Sequence, residues 1–416
     1  MVFLQSLPLV FVLVGLALYT VLGGADFGAG FWQLCAGRGR GSQRVREFAH
    51  QSMGPVWEAN HVWLIFVLTV FWTAYPRAFG SIASTLAVAL FIALVGIVFR
   101  GAAYAWRAGA ANDRELGRID AIFSLSSILT PFALGAAIAG IATNRVPVGN
   151  AAGDEITSWL NGTSVFVGLL AVAACAYLAA VYLAADAARD TQGALERAFR
   201  ARALGAGAIA GVLAIAGIFV VRADRHTLFT SLLTGRALGA VIVSLLAGAT
   251  TLVLVYRRRY EAARYAAAIA VAAIVVGWAL ARWPTILPGL SIRQAAAGHA
   301  TLVWLVVCVA CGGLILFPAL ALLFRLTLTG RFSRSGPMSP PRQPESLSLA
   351  GIGVLARAAL ACLIAGVALL NGADAGWAHA IGVVSLLGFV LFGFRAVVFT
   401  ALRDGLVHAA TPHQRT

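Results

Sequence analysis

Nine long apolar runs within the first 330 residues are the feature that most constrains how this chain can fold. About 20 helical residues cross a bilayer core at 1.5 Å rise per residue. Only 11% of the residues are charged, against about 25% in soluble domains. These values exclude an ordinary soluble enzyme and predict an all-α polytopic membrane protein. The runs cover residues 4–34, 53–74, 82–100, 121–141, 165–185, 203–221, 238–256, 263–280 and 300–324.

A Pro- and Ser-rich segment, SRSGPMSPPRQPES, follows these runs and is typical of a linker. Two further apolar runs, 349–370 and 378–402, come after it. The sequence therefore predicts a transmembrane domain over residues 1–330 and a linker over 331–348. Residues 349–416 are predicted to form an appended transmembrane helical hairpin and tail.

The basic residues, all arginine, are distributed unevenly between the two sides of the predicted membrane domain. The chain has 31 of them against 16 acidic residues, a net charge of +15. The connections on one side carry 22 arginines and those on the other carry seven. The positive-inside rule then predicts an outside N-terminus and an inside C-terminus in a bacterial plasma membrane. This pattern also accounts for the charge without a nucleic-acid partner.

Two carboxylic acids and a histidine lie well inside the first two apolar runs, where charge is costly and marks a functional hypothesis. Asp26 is in the first run, and Glu58 and His61 are in the second. Counting residues from the inner end of each helix places both carboxyl groups about 12 Å from the inner membrane surface. Such groups suit a proton relay from the cytoplasm. They equally suit hydrogen bonds that hold two helices together, and the sequence leaves both interpretations open.

Small residues and helix ends give further predictions. The glycines Gly23, Gly24, Gly28 and Gly30 are expected to let helices approach closely, because they lack a side chain. Asp120 opens the fourth apolar run and is predicted to cap that helix.

The metal and haem ligands can be counted from the sequence. Cys308 and Cys311 form a CxxC within an apolar run with no histidine at ligand spacing, so they are predicted to be buried core residues. We predict no metal site. His61 is the histidine well within a run, and the chain has three methionines, Met1, Met53 and Met338. The chain is therefore predicted to bind no haem directly.

Two segments carry a family resemblance. LGGADFGAGFWQL, followed by GPVWEANHVWLIFVLTVFWTAYP, resembles the start of subunit II of cytochrome bd-type quinol oxidases, the cyanide-insensitive branch included. RIDAIFSLSSILTPFALGAAIAG, SWLNGTSVFVGLLAVAACAYLAAVYL and RWPTILPGLSIRQAAAGHATL extend the resemblance in order to about residue 330. The resemblance implies a nine-helix subunit built as two four-helix bundles plus one helix.

The resemblance also implies a function. The family's subunit II pairs with a subunit I that carries haems b and d and the quinol site, and the respiratory complex reduces oxygen to water. Subunit II supports its partner and contributes a cytoplasmic proton path, while a bound quinone is compatible with it. By this resemblance Asp26 matches the second Asp of an Asp-Gly-Phe-Asp motif. Trp57, Glu58 and Asn60 match a Trp-Asp/Glu-x-Asn motif.

Two positions depart from the family pattern. Gly23 stands where the family commonly has the first Asp of its motif, and Ala105 stands where an acidic residue is common. Their absence leaves Asp26 and Glu58 with more of the proton transfer. The alternative functions are a proton-coupled membrane transporter and a divergent haem-free paralogue, since buried acids and glycine-rich helices fit both. A requirement for a haem-bearing partner distinguishes the oxidase from these alternatives.

Overall fold

The computed structural model of the chain is almost entirely helical. It describes residues 2–37, 40–51, 54–107, 109–110, 112–328, 354–372 and 375–409. The helices are α1 (Val2–Cys35), α2 (Arg40–Gln51), α3 (Gly54–Ala74), α4 (Pro76–Thr85), α5 (Ala87–Arg107), α6 (Asp113–Ala142), α7 (Gly162–Arg189), α8 (Gly193–Asp224), α9 (His226–Leu232), α10 (Gly235–Tyr256), α11 (Tyr260–Arg282), α12 (Ile292–Ala295), α13 (His299–Leu328), α14 (Val354–Gly372) and α15 (Gly376–Ala409). A small antiparallel pair, β1 (Thr285–Leu287) and β2 (Leu290–Ser291), precedes α12.

The predicted all-α polytopic membrane fold is confirmed. Within the described residues, nine helices are long and apolar enough to span a membrane, and two shorter apolar helices, Asn60–Ala74 and Val354–Leu370, accompany them. The helix predicted over the third apolar run, 82–100, has different bounds in the structure. It is divided between α4 and α5, which are separated at Leu86, and α5 continues to Arg107. Hydropathy alone ended this helix at its first charged residue.

The first bundle contains α1, α3, α5 and α6. Helix α1 packs against α3 and α6, and α5 packs against α6. A buried tyrosine fixes the start of α1, because the Tyr75 hydroxyl donates to the Gln5 carbonyl at 2.7 Å and accepts from the Leu9 amide at 3.1 Å. Tyr75 is fully buried, so both of its hydrogen bonds are made away from solvent.

The second bundle contains α7, α8, α10 and α11. Helix α7 packs against α8 and α11, and α10 packs against α8 and α11. Its core is rich in alanine, with Phe199 and Val255 among the fully buried larger side chains. Helix α1 also contacts α7 and α11, so one helix belongs to the packing of both bundles.

One ion pair and several hydrogen bonds join the two bundles at the end remote from Cys35. Arg145 makes two 2.8 Å hydrogen bonds to the carboxylate of Asp224, and the Thr163 hydroxyl donates to the same carboxylate at 2.8 Å. Arg282 donates to the Asn144 side chain and, at 2.9 Å, to the Ile286 carbonyl. These contacts tie the ends of α6, α8 and α11 together.

The chain divides into two compact units, residues 1–320 and 321–416. The proposed linker, 331–348, lies outside the described residues. In the second unit α14 packs against α15, and Gly366 and Gly382 meet at their contact. In α13, Cys308 and Cys311 are exposed, so the prediction that they are buried core residues is wrong. Most of the described side chains of α13 are exposed, and Leu302 is the buried one among them.

Candidate functional site

Asp26 occupies the interior of the first bundle. It lies on α1 nine residues before Cys35, about 13 Å along the helix axis from that end. Its exposed fraction is 2%. An ionised carboxylate at this burial requires a compensating charge.

Arg100 on α5 provides that charge. Its Nη2 donates to Asp26 Oδ1 at 2.7 Å and to the Asp26 backbone carbonyl at 3.1 Å. Arg100 is fully buried. Because α5 extends to Arg107, Arg100 lies two turns inside the helix rather than at its end. The two residues therefore form an ion pair buried between α1 and α5.

Helix α6 completes the surroundings of the guanidinium. Arg100 Nη1 donates to the Ser127 hydroxyl, which in turn donates to the Phe123 carbonyl at 2.6 Å. The guanidinium carbon lies 4.1 Å from the ring centroid of Phe123 and 5.1 Å from that of Phe27. Cation–π contacts of this kind stabilise a desolvated arginine. Three helices and two aromatic rings thus fix the position of the charge.

Two glycines on α1 make these approaches sterically feasible. A Cβ atom at Gly30 would lie 3.1 Å from Arg100 Nη1 and closer still to the Ser127 hydroxyl. A Cβ atom at Gly28 would lie 1.9 Å from the Cys175 carbonyl of α7. Gly24 also faces α7, whereas Gly23 faces the ring of Tyr19 on its own helix. Gly23 therefore lacks the helix–helix contact that the sequence pattern suggests.

The second motif lies at the start of α3. Asn60 is fully buried, and its Nδ2 donates to the Leu22 carbonyl of α1 at 3.2 Å. His61 is half-buried beside it and interacts electrostatically with Arg100. The side chains of Trp57 and Glu58 lie outside the described part of the structure. The role of Glu58 stays a prediction.

Asp120 does not cap a helix, so that prediction is wrong. Helix α6 begins at Asp113, and the side chain of Asn112 caps it by accepting from the Glu115 amide at 3.0 Å. Asp120 lies two turns inside and pairs with Arg107 at 2.5 Å. The polar residues 113–119 continue the helix beyond the apolar run, which is why hydropathy placed its start too late.

His50, on the amphipathic helix α2, lies close to the same cations. Its ring centroid is 5.1 Å from that of Tyr104 and 6.1 Å from that of Phe123. Burial, followed by the positive charges of Arg107 and Arg100, lowers the pKa of His50 to about 4. The imidazole is therefore neutral at pH 7 and adds no charge beside the buried arginine.

This depressed pKa predicts an acid-sensitive fold. An unfolded histidine has a pKa of about 6.5, so the unfolded chain binds a proton below that pH while the folded chain binds it only near pH 4. The contribution to stability is complete above pH 6.5 and is lost as the pH falls to 4. We expect the melting temperature to drop between pH 7 and 5, and to drop less in His50→Phe, which keeps the ring contact. His226→Phe, at an exposed histidine, is the control; equal pH dependence in wild type and His50→Phe would contradict the prediction.

Arg100 and Ser127 are the site residues that the sequence reasoning missed. The sequence signal that could have identified Arg100 was charge balance. An arginine at the end of an apolar run needs a carboxylate at similar depth. Among the described residues, no group of three or more His, Cys, Asp or Glu side chains is placed to hold a metal ion.

The fold and the buried pair define a class: a polytopic helical membrane protein with one carboxylate–guanidinium pair enclosed in its first bundle. Residues 4–327 match the model of the cytochrome bd terminal oxidase subunit II family. The chain belongs to this family, as its two N-terminal motifs predict.

Individual relatives agree with the family assignment. The chain is 28% identical over 114 residues to cytochrome bd ubiquinol oxidase subunit 2 of Bacillus subtilis and 27% identical over 131 residues to cytochrome bd-I ubiquinol oxidase subunit 2 of Escherichia coli K12. These alignments cover 27% and 31% of this chain, and only 33% and 34% of the relatives. A chain of the bd oxidase from Geobacillus thermodenitrificans has a similar structure, with a TM-score of 0.64 and 26% identity. That match covers 78% of this chain and 99% of the other.

Proposed function

We propose that this chain is the haem-free subunit II of a bd-type quinol:oxygen oxidoreductase in a bacterial plasma membrane. In this proposal a haem-bearing subunit I oxidises quinol and passes electrons through haems b and d to oxygen. This chain supports that subunit and conducts protons to it from the cytoplasm. Membership of the family is the main observation that supports this assignment. The buried Asp26–Arg100 pair is the structural observation that supports a proton-conducting role.

In the part of the chain that the structure describes, Cys175 and His50 fit a haem poorly. Met1, Met53 and Met338 lie outside the described residues. Cys175 is buried in the contact between α1 and α7, and His50 is enclosed by aromatic rings. We therefore assign no haem step to this chain, and place the b- and d-type haems and oxygen reduction in the partner.

The proposed proton path includes Asp26, Glu58 and His61. Arg100 occupies one oxygen of Asp26, whereas Oδ2 is buried and has no hydrogen-bond partner among the described residues. Oδ2 is thus the atom that can take up and release a proton. The neighbouring guanidinium holds the carboxylate in place through Oδ1 at 2.7 Å, so that Oδ2 stays available for proton transfer.

The proposed orientation places the Cys35 end of α1 at the cytoplasm. It rests on the arginine-rich connections, which would then lie inside with the C-terminus. Protons would reach Asp26 from this end over about 13 Å.

The first test is a tagged purification from native membranes in mild detergent. A reduced-minus-oxidised visible spectrum and a subunit gel are taken from the same sample. We expect a second integral subunit to co-purify together with haem b and haem d bands. A lone chain without a chromophore would contradict the oxidase assignment and favour the transporter.

The proton path is tested by Glu58→Gln and Asp26→Asn in the intact complex. General acid–base groups contribute 10²- to 10⁴-fold to rates, so we expect quinol-oxidase turnover per assembled haem to fall at least about tenfold. Glu155→Gln, at an exposed loop carboxylate, is the control and should retain full turnover. Full turnover in both path variants, with complete haem spectra, would show that these acids only pack.

A further inference from the structure

The connection between α10 and α11, in the second bundle, carries three consecutive arginines. Arg257, Arg258 and Arg259 separate the two helices, and all three are exposed. A cavity of about 390 Å³ opens beside them, between the end of α7 and the start of α11. The charged side chains that line this cavity are Arg189, Arg258, Arg259 and Glu261. Because three cations face one anion, the cavity attracts negatively charged groups.

The neighbouring acids neutralise these arginines unevenly. Arg189 Nη2 lies 2.7 Å from a carboxylate oxygen of Glu261, so its charge is already balanced. Arg258 lies 3.8 Å from Glu196 and is 59% exposed, and an ion pair this exposed is readily exchanged for another anion. Arg259 makes no ion pair with the acidic residues that the structure describes. Arg258 and Arg259 are therefore the cations available to an incoming anion.

The cavity lies at the ends of two helices that have the length and hydropathy of membrane spans. Tyr256 on α10 and Tyr265 on α11 are 68% and 72% exposed near these ends, and exposed tyrosines of this kind mark a membrane–water interface. Tyr265, Ile269 and Val276 follow Glu261 by four, eight and fifteen residues, so they lie on one face of α11. All three are exposed. An apolar surface therefore runs from the charged cavity into the membrane-spanning part of α11.

We propose that the cavity binds the headgroup phosphate of an anionic phospholipid, whose acyl chain lies along Tyr265 and Ile269. Basic pockets between membrane-spanning helices bind such headgroups. A bias of arginines towards one side of the membrane accounts for their number, but not for a cavity that gathers three of them above an apolar face. A soluble phosphate would neutralise the arginines and leave that face uncovered. Binding of the lipid does not depend on the oxidase role proposed above.

The test is native mass spectrometry of the full chain, purified in mild detergent with any subunit that accompanies it, after addition of phosphatidylglycerol. The measured quantity is the dissociation constant of the first bound lipid. One arginine near a membrane surface changes the affinity for anionic lipid about fivefold. We therefore expect about fivefold weaker binding in Arg259→Gln and more than tenfold weaker binding in Arg258→Gln/Arg259→Gln. Arg118→Gln, which removes the same charge at an exposed position on α6, should bind like wild type.

A second variant should change the affinity in the opposite direction. Glu261→Gln removes the anion from the cavity lining and releases Arg189, and Glu261 is 60% exposed, so the fold should tolerate the change. We expect this variant to bind phosphatidylglycerol about fivefold more tightly. A purely structural role for the ion pair predicts a lower melting temperature without tighter binding.

Three outcomes would show that the cavity does not hold a lipid headgroup. The first is equal phosphatidylglycerol affinity in Arg259→Gln and Arg118→Gln. The second is equal affinity of the wild type for phosphatidylcholine, which has the same acyl chains but no net charge. The third is thermal stabilisation by inorganic phosphate that Arg259→Gln abolishes while its lipid affinity stays unchanged, which would identify a soluble anion as the occupant.

Discussion

Arg100→Leu is expected to destabilise the chain by about 3–5 kcal/mol, because it leaves the Asp26 carboxylate buried without a countercharge. The wild-type guanidinium satisfies that carboxylate at 2.7 Å and is itself fully buried. Removing it also deletes the cation–π contact with Phe123 and the hydrogen bond to Ser127. The expected measurement is a much lower melting temperature of the purified complex and a smaller assembled fraction on size exclusion.

A double variant separates stability from function. In Asp26→Asn/Arg100→Met both charges are removed. We therefore expect this double variant to regain most of the melting temperature and assembled fraction that Arg100→Leu loses. Its turnover should stay low. Arg118→Leu, at an exposed arginine, is the single-site control and should melt like wild type. If Arg100→Leu were as stable as Arg118→Leu, the buried pair would not hold the first bundle together.

Gly28→Ala is expected to have the second large effect, about 3 kcal/mol of destabilisation from overpacking. The added Cβ atom would lie 1.9 Å from the Cys175 carbonyl and 2.7 Å from the Ala179 Cβ, so α1 and α7 would have to separate. Separation would also strain the hydrogen bond from the Trp32 indole to the Ala176 carbonyl, now 2.8 Å. A lower melting temperature of the complex is the readout.

The matched control is Gly211→Ala on α8. A Cβ atom at Gly211 meets no other atom within 4 Å. Alanine is the better helix former by about 1 kcal/mol, so this variant should be neutral or slightly stabilising. If the two glycine variants melted alike, close α1–α7 contact would not contribute to stability.

The helices were predictable from the sequence because a bilayer-spanning run carries a strong, local hydropathy signal. Their ends were not, since polar residues continue a helix beyond the apolar core. The third run ended at Arg100 by hydropathy, whereas α5 continues to Arg107. That difference moves Arg100 from the membrane boundary to the bundle interior. The same effect displaced the start of α6 and gave Asp120 the wrong role.

The candidate site was predictable only in part. Asp26 was identifiable because an acid in an apolar run is conspicuous on its own. Its partnership with Arg100 joins residues 74 positions apart, and such a contact depends on which faces of α1 and α5 meet.

The sharing of α1 between the two bundles bears on how this molecule could operate. A transporter that works by alternating access rocks one half against the other around a central cargo site. Here the backbone of Gly28 lies directly against α7, while the same helix holds Asp26 against Arg100 in the other bundle. Rocking one bundle against the other would have to separate α1 either from α7 or from Arg100. The architecture therefore disfavours rocking and is compatible with the proposed transfer of protons between side chains held in a fixed frame.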